Sequence, residues 1–434
     1  MSSETKFKVI GKSPVRHDGT DKVTGRALYG ADMNLPGMLY GKVLRSPHPH
    51  ARIKSIDISK LKDHPDCKAI VTSKDLAPSP EVTKEPLYGQ VRITNVLAAD
   101  KVLYKGHPIL AIASDSPDAA EELLSLVDIE FEVLKSSSNV EEAISKDSDI
   151  IHENWEKTKD SYDVNPNGTN IGTVEVYKLG DATEALKKSE HIIEREFRTK
   201  TVHQGYIEPT NGTAWWRPND RLTIWCSSQG HFGIRDSVAM VLGIPSSQIT
   251  VIPMEIGGGF GGKLSAYLEP LAAILSKKSG LPVKMTMSRS EVLESTGPTS
   301  GSYQKITMGY NSKGEINAAK AIMMLEAGAF PGAPVSGAAS AIFSPYEIND
   351  VHIDGYDIVT NKPKTTAYRA PGSPISMFAV ESMINEIAEI VGVDPVELRI
   401  MNAAKKGTRR ADGVINGTIG AIDVMESIRN HPHY

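Results

Sequence analysis

A chain of 434 residues with 40% hydrophobic and 23% charged content has ordinary globular composition and is long enough for two or three cores. Its formal net charge of -5 leaves no basic excess to neutralise phosphates, and no dense Lys/Arg stripe is interleaved with aromatics, so nucleic acid is a poor partner. Cys67 and Cys226 are the only cysteines, too few for a four-thiolate cluster, a Cys-rich zinc site or a disulfide framework; any iron–sulfur relay must sit on another chain.

Residues 1–12 alternate charged and polar types, and no run approaches the roughly 18 apolar residues needed to span a bilayer. The chain therefore reads as cytoplasmic, without a membrane span. Short apolar runs at 38–45 and 109–113 predict strands, 117–126 a helix opened by Ser116-Pro117, and 127–133 an alternating strand. Together, 15–134 reads as a compact α+β domain. Residues 135–170, rich in Ser, Asn, Asp and Lys, read as a linker with a short turn near 140–144. A second α+β domain is expected over 171–392, with strands at 191–198, 221–226 and 249–254 and a helix at 234–242. Val380, Met383, Ile384, Ile387 and Val391 share one helical face up to Gly392. Asp394 and Pro395 then supply an N-cap and first helical position, with Glu397 spaced for a capping box, opening a helical extension over 393–434 that includes a helix-like stretch at 419–429.

The segment Gly257-Gly258-Gly259-Phe260-Gly261-Gly262-Lys263 follows a predicted strand and precedes a helix predicted over 265–279, with Leu268, Leu271, Ala272 and Leu275 on one face. Five glycines in seven residues let the backbone take positive φ and approach a ligand, while the N-terminus of the next helix favours an anion. Two other readings stand beside this one. The spacing meets the G-x-x-x-x-G-K part of a nucleotide-binding P-loop, although Leu264 occupies the place of the Mg²⁺-binding hydroxyl. Alternatively, the glycines serve only close helix–sheet packing.

Further motifs occur in one order around this loop. They are residues 25–32, Leu-Arg-Ser-Pro-His-Pro-His-Ala-Arg-Ile at 44–53, Tyr-Lys-Gly-His-Pro at 104–108, His-Gln-Gly-Tyr-Ile-Glu-Pro at 203–209 and Ser-Ser-Gln at 227–229. After the loop come Ser-Arg-Ser-Glu at 288–291, Thr-Asn at 360–361, Ala-Tyr-Arg-Ala-Pro-Gly at 367–372 and Asp-Pro-Val-Glu-Leu-Arg at 394–399. With the loop they resemble, over nearly the whole chain, the N-terminal half of the molybdopterin-binding large subunit of the xanthine dehydrogenase, or molybdenum hydroxylase, family. The resemblance implies an α+β fold in which a hammerhead-like domain precedes the first molybdopterin-binding domain. It implies an oxidoreductase that hydroxylates an aldehyde or aromatic N-heterocycle with water as oxygen source. The cofactor would be molybdopterin, in its plain or cytosine dinucleotide form, with electrons leaving through a 2Fe–2S small subunit to an FAD-binding medium subunit.

Residue by residue, Gln229 matches the glutamine whose side chain meets an oxygen ligand of the metal. Phe260 lies where the loop backbone reaches the molybdenum centre, and Arg369 matches the arginine on the substrate side. Gly258, Gly259 and Gly261 would cradle the pterin. A neutral amide suits an oxo ligand, and a fixed guanidinium suits a substrate gaining negative charge. From local sequence alone, Gln229 is equally a solvated turn residue and Arg369 an ordinary ion-pair partner. Glu208 reads as structural, as does His203.

The family's large subunits usually continue for several hundred residues beyond this point, and that part carries the glutamate acting as general base. No residue here takes that role. The chain is expected to be half of a split large subunit, as in nicotinate dehydrogenase, with the C-terminal half on a separate chain; a truncated, inactive remnant is the other option. Purine-oxidising members have a Glu where this chain has Leu264, and an Arg in the region matching Gly337, so xanthine is disfavoured. The aerobic carbon monoxide dehydrogenases, also similar, have a copper-bridging Cys where Ala370 stands, which disfavours carbon monoxide.

Overall fold

The computed structural model describes residues 7–76, 93–153 and 169–434. Its strands run, in chain order, β1 (Leu39–Arg45), β2 (Ala51–Asp57), β3 (Ala69–Thr72), β4 (Lys101–Val102), β5 (Pro108–Ser114), β6 (Asp128–Val133), β7 (Ile171–Leu179) and β8 (His191–Thr199). Then follow β9 (Asn211–Trp216), β10 (Leu222–Cys226), β11 (Ile249–Pro253), β12 (Val283–Thr286), β13 (Ser302–Tyr310), β14 (Ile316–Gly328) and β15 (Asp350–Val359).

Seven strands form one sheet in the order β11-β10-β9-β12-β1-β5-β3. Its central junction is the parallel pairing of β1 with β12, Leu39 opposite Val283. All seven residues of β5 are buried. Leu110 and Ile112 pack with Leu123 of the helix Pro117–Leu124, whereas the alternate Ala111 and Ala113 pack in the cluster containing Leu275 of the helix Glu269–Ser279. Opposite faces of one strand are thus covered by helices from distant parts of the chain.

The expected domain 15–134 shares a sheet with the rest of the chain. Only β4-β2-β6 form a sheet of their own, while β1, β3 and β5 complete a sheet with β9 to β12. Without β12, β1 would present an open edge of unpaired N–H and C=O groups. The stretch 135–170 also does more than link. Asn170 donates to the carbonyls of Ala143 and Asp149, and Ser137 N–H donates to Asn361 Oδ1. Asn361 in turn donates to the Leu103 carbonyl at 3.0 Å. Ser137 and Asn170 thus act as fasteners, and residues 154–168 lie outside the described part.

A second sheet, β7-β15-β14-β13-β8, packs under the helices Val335–Ala341 and Ser373–Val391. The predicted apolar face holds: Val380, Met383, Ile384 and Ile387 are fully buried, and the helix stops at Gly392 with φ +69°. Asp394 caps the helix Pro395–Asn402 by accepting from the Val396 and Glu397 N–H groups. The expected capping box does not close, because the Glu397 carboxylate accepts from Arg429 at 2.7 Å instead. Among the described residues no helix is long and apolar enough to cross a membrane.

Candidate cofactor site

The loop 257–263 follows β11, and each backbone N–H in it can be traced. Gly257 donates to Glu208 Oε2 at 2.8 Å, Gly261 to Gln229 Oε1 at 2.8 Å, Gly262 to the Gly259 carbonyl at 2.8 Å, and Lys263 to Gln229 Oε1 at 3.3 Å. The N–H groups of Gly258, Gly259 and Phe260 donate to no described residue. Gly258, Phe260 and Gly261 have φ of +95°, +54° and +104°. Runs of N–H groups in such alternating conformations form concavities suited to anions and oxygen ligands.

The glycines themselves have a packing reason. A Cβ on Gly257 would come 2.4 Å from Glu208 Cβ, on Gly259 2.5 Å from Gln229 Oε1, on Gly261 2.4 Å from the Ala367 carbonyl, and on Gly262 2.8 Å from Tyr206. Glycine number alone is therefore no sign of a ligand, contrary to the weight placed on it in the sequence. The three free donors carry that inference instead.

The helix after the loop begins at Glu269, six residues beyond Lys263, with Pro270 in its first turn. Its N-terminus is not an anion site. The buried Glu269 carboxylate accepts from the Tyr267 and Leu268 N–H groups at 2.9 and 3.1 Å, and burial pushes its pKa up. Lys263 is likewise withdrawn. Its Nζ lies 2.6 Å from Glu208 Oε2 and 5.0 Å from the Tyr206 ring centre, with 2% of the side chain exposed. Burial lowers its pKa against the opposing effect of Glu208. A P-loop lysine must reach phosphates, and this one faces inward, so the nucleotide reading loses its lysine as well as its hydroxyl.

Gln229 follows the end of β10, and its N–H donates to the Lys263 carbonyl at 2.9 Å. Since its Oε1 accepts from two loop N–H groups, its Nε2 is the outward atom, a donor with no partner among the described residues. Arg369 reaches the same place from the other end of the chain, its N–H donating to the Phe260 carbonyl at 2.9 Å. Its exposed guanidinium pairs with no described residue. The adjacent turn is tightly seated, since a Cβ on Gly372 would lie 2.5 Å from Ala338 N in the helix that also holds Gly337. Gln229, Gly258, Gly259, Phe260, Gly261 and Arg369 thus meet, although they span 140 positions of sequence.

Two supporting residues escaped the motif reading. Buried Gln204 donates to the carbonyls of Gly297 and Ala367 at 3.1 and 2.9 Å, fixing the segment that leads into Arg369. Glu208, assigned only a structural role, buttresses the loop. Both lie in the 203–209 motif, and a Glu there with a Lys in the loop was the available signal. His203 is structural as expected, its Nδ1 accepting from Gly205 N–H and its Nε2 bonding Thr296 at 2.8 Å.

Known proteins resemble the chain over both of its halves. Residues 24–135 match the aldehyde oxidase and xanthine dehydrogenase a/b hammerhead domain, and 164–403 match the molybdopterin cofactor-binding domain. The chain is 30% identical over 427 residues to the nicotinate dehydrogenase large molybdopterin subunit of Eubacterium barkeri, covering 98% of this chain and 96% of that one. It is also 30% identical to the xanthine dehydrogenase molybdenum-binding subunit of Escherichia coli, covering 91% of this chain but 52% of that protein. Among solved structures, the aldehyde oxidoreductase from Desulfovibrio gigas superposes with a TM-score of 0.85 at 24% identity, over 95% of this chain and 45% of that one. The reconstituted CO dehydrogenase from Oligotropha carboxidovorans gives 0.81 at 26% identity, over 97% and 54%. The chain thus spans about half the length of several relatives and nearly all of one. It belongs to the xanthine dehydrogenase family of molybdenum-dependent oxidoreductases.

Proposed function

We propose that the loop 257–263, with Gln229 and Arg369, binds molybdopterin as one face of a molybdenum hydroxylase active site. The observation that carries this is a set of donors on and beside the loop without partners among the described residues: the N–H groups of Gly258, Gly259 and Phe260 and the Gln229 amide, with Arg369, likewise unpaired, tied to Phe260 through its backbone. Such a set suits an anionic, oxygen-rich group. The bound cofactor, plain or as the cytosine dinucleotide, supplies a two-electron acceptor. Gly258, Gly259 and Gly261 would cradle it, the Gln229 amide would hold it as a donor, and Arg369 would steady negative charge developing on the substrate.

The substrate in this reading is an aldehyde or an aromatic N-heterocycle. Leu264 brings an apolar, 45% exposed side chain to the loop's end, and the helix Val335–Ala341 beside the Arg369 turn has no arginine to hold a purine. Ala370 provides no thiolate for copper. The general base comes from a second chain carrying the C-terminal half of the large subunit. Ile207, Phe260 and Leu264 support such a cover, since they leave apolar side chains exposed around the donors. A 2Fe–2S subunit and an FAD subunit complete a cytoplasmic complex. The test is metal and pterin analysis of the intact complex, for native protein and Gln229→Ala. Native protein should carry stoichiometric molybdenum and the variant markedly less. A complex of all its subunits without molybdenum refutes the reading and favours an inactive remnant.

A further inference from the structure

The structure assigns to Glu208 the task of positioning residue for the cofactor loop, acting as a clasp that joins the loop's two ends. This rests on the reading of 257–263 as a molybdopterin site. One oxygen, Oε2, accepts from the Gly257 N–H at 2.8 Å and from Lys263 Nζ at 2.6 Å. These are the first and last residues of the loop. The other oxygen accepts from Asn211 Nδ2 at 3.2 Å. The carboxylate is anchored on its own segment too, since the Glu208 N–H donates to the Gly257 carbonyl at 3.1 Å and the Gly257 backbone packs against Glu208 Cβ.

Between the clasped ends lie the three free N–H groups. Elsewhere the loop is held by the bonds of Gly261 and Lys263 to Gln229 in its C-terminal part and through the carbonyls of Gly259 and Phe260, which accept from the Gly262 and Arg369 N–H groups. Charge-assisted bonds are the shorter and stronger kind, and here the pair is almost wholly buried, with 2% and 9% of the side chains exposed. The pair also neutralises Lys263. The loop therefore meets an anionic ligand with backbone dipoles in a fixed arc, and the lysine contributes through the clasp and not through contact with the ligand.

Every neighbour of the Glu208 carboxylate is a donor, so an amide in its place sets N–H against N–H and leaves Lys263 without a counter-charge. Three variants of the full complex make the test: Glu208→Gln, Lys263→Met and the two combined. Near-UV circular dichroism and melting select folded protein. Molybdenum and pterin content per folded chain and hydrogen exchange across 257–263 are then measured. Both single variants should lose at least about tenfold in cofactor content, as is usual when a supporting partner of a metal site is removed, with faster exchange of the loop amides. The combined variant has no buried unpaired charge, recovers melting temperature, and stays depleted because the two ends are no longer joined. Native cofactor content in either single variant, or its recovery in the combined one, overturns the proposal. Native protein without molybdenum or pterin instead refutes the underlying function. Exchange then decides about the clasp alone, with unchanged loop exchange in Glu208→Gln counting against it.

Discussion

The cofactor loop and the seam joining residues 39–134 to the rest of the chain are built from the same materials and use them in opposite ways. At the seam, Arg45 donates to Glu291 at 2.9 Å and to the Gly106 carbonyl at 3.3 Å, while Glu291 also accepts from the Ser288 N–H. His107, fully buried and stacked on Tyr104 with ring centres 4.5 Å apart, accepts from Leu103 N–H and bonds the Thr94 carbonyl. Asn361 bridges Ser137 and Leu103. Apart from Arg45 Nη2, these polar groups close on one another. Around the loop, Glu208, Lys263 and the Gln204 Nε2 also close on neighbours, but Gly258, Gly259, Phe260, Gln229 and Arg369 are left open as donors. Buried polar groups that satisfy themselves are fasteners, and a framework that leaves ordered donors unsatisfied is a site.

If this contrast holds, damage to the two regions separates cleanly. Arg369→Ala should lower kcat/KM of the assembled complex by about 10²–10³-fold, the size expected for removing one fixed donor to developing charge. Its melting should stay within about 0.5 kcal/mol of native, because the guanidinium is exposed and unpaired. Steady-state kinetics beside thermal melts decide this, and a large stability loss would show that Arg369 belongs to a fastener.

Glu291→Ala should do the reverse. It strands Arg45, whose side chain is only 10% exposed and whose Nη2 already lacks a partner, and it opens the capping box on Ser288. A loss of about 3 kcal/mol is expected from breaking so enclosed a pair, read from the urea midpoint, with pterin content per folded chain unchanged.

The seam should also respond to acid. Burial pushes the His107 pKa down to about 4 from an ordinary value near 6.5. The unfolded chain therefore binds the proton first as pH falls. The stability carried by neutral His107 is intact above pH 6.5 and is lost progressively between about 6.5 and 4, up to roughly 3 kcal/mol. Melting temperature against pH measures it, and His107→Asn should flatten that part of the curve.

Much of this was legible locally. Strand periods at 38–45 and 109–113, the apolar face ending at Gly392 and the Asp394 cap follow from side-chain spacing and turn chemistry, which act within a few residues. The candidate residues Gln229, Gly258, Gly259, Phe260, Gly261 and Arg369 could be picked out through motif order. The start of the helix at Glu269 was missed by four residues although Pro270 marks it, because the apolar pattern around Leu268 continues upstream of the true first turn. Glu397 has capping-box spacing, but Arg429 competes for its carboxylate from 32 residues away. The Glu208–Lys263 pair spans 55 residues, and although both lie in motifs, neither local sequence shows that their side chains meet.

By itself, then, the sequence determined the family and the position of the glycine loop, since these depend on residue type and order. Only the tertiary structure decided what the loop offers. It turned Lys263 inward to Glu208, filled the helix N-terminus with Glu269, and left three backbone donors free where five glycines had suggested a general anion site. It also ran one sheet through both segments of the chain by pairing β1 with β12. These outcomes turn on which distant group meets each hydrogen-bonding partner. Burial makes every such pairing obligatory, and only the folded chain shows where each one goes.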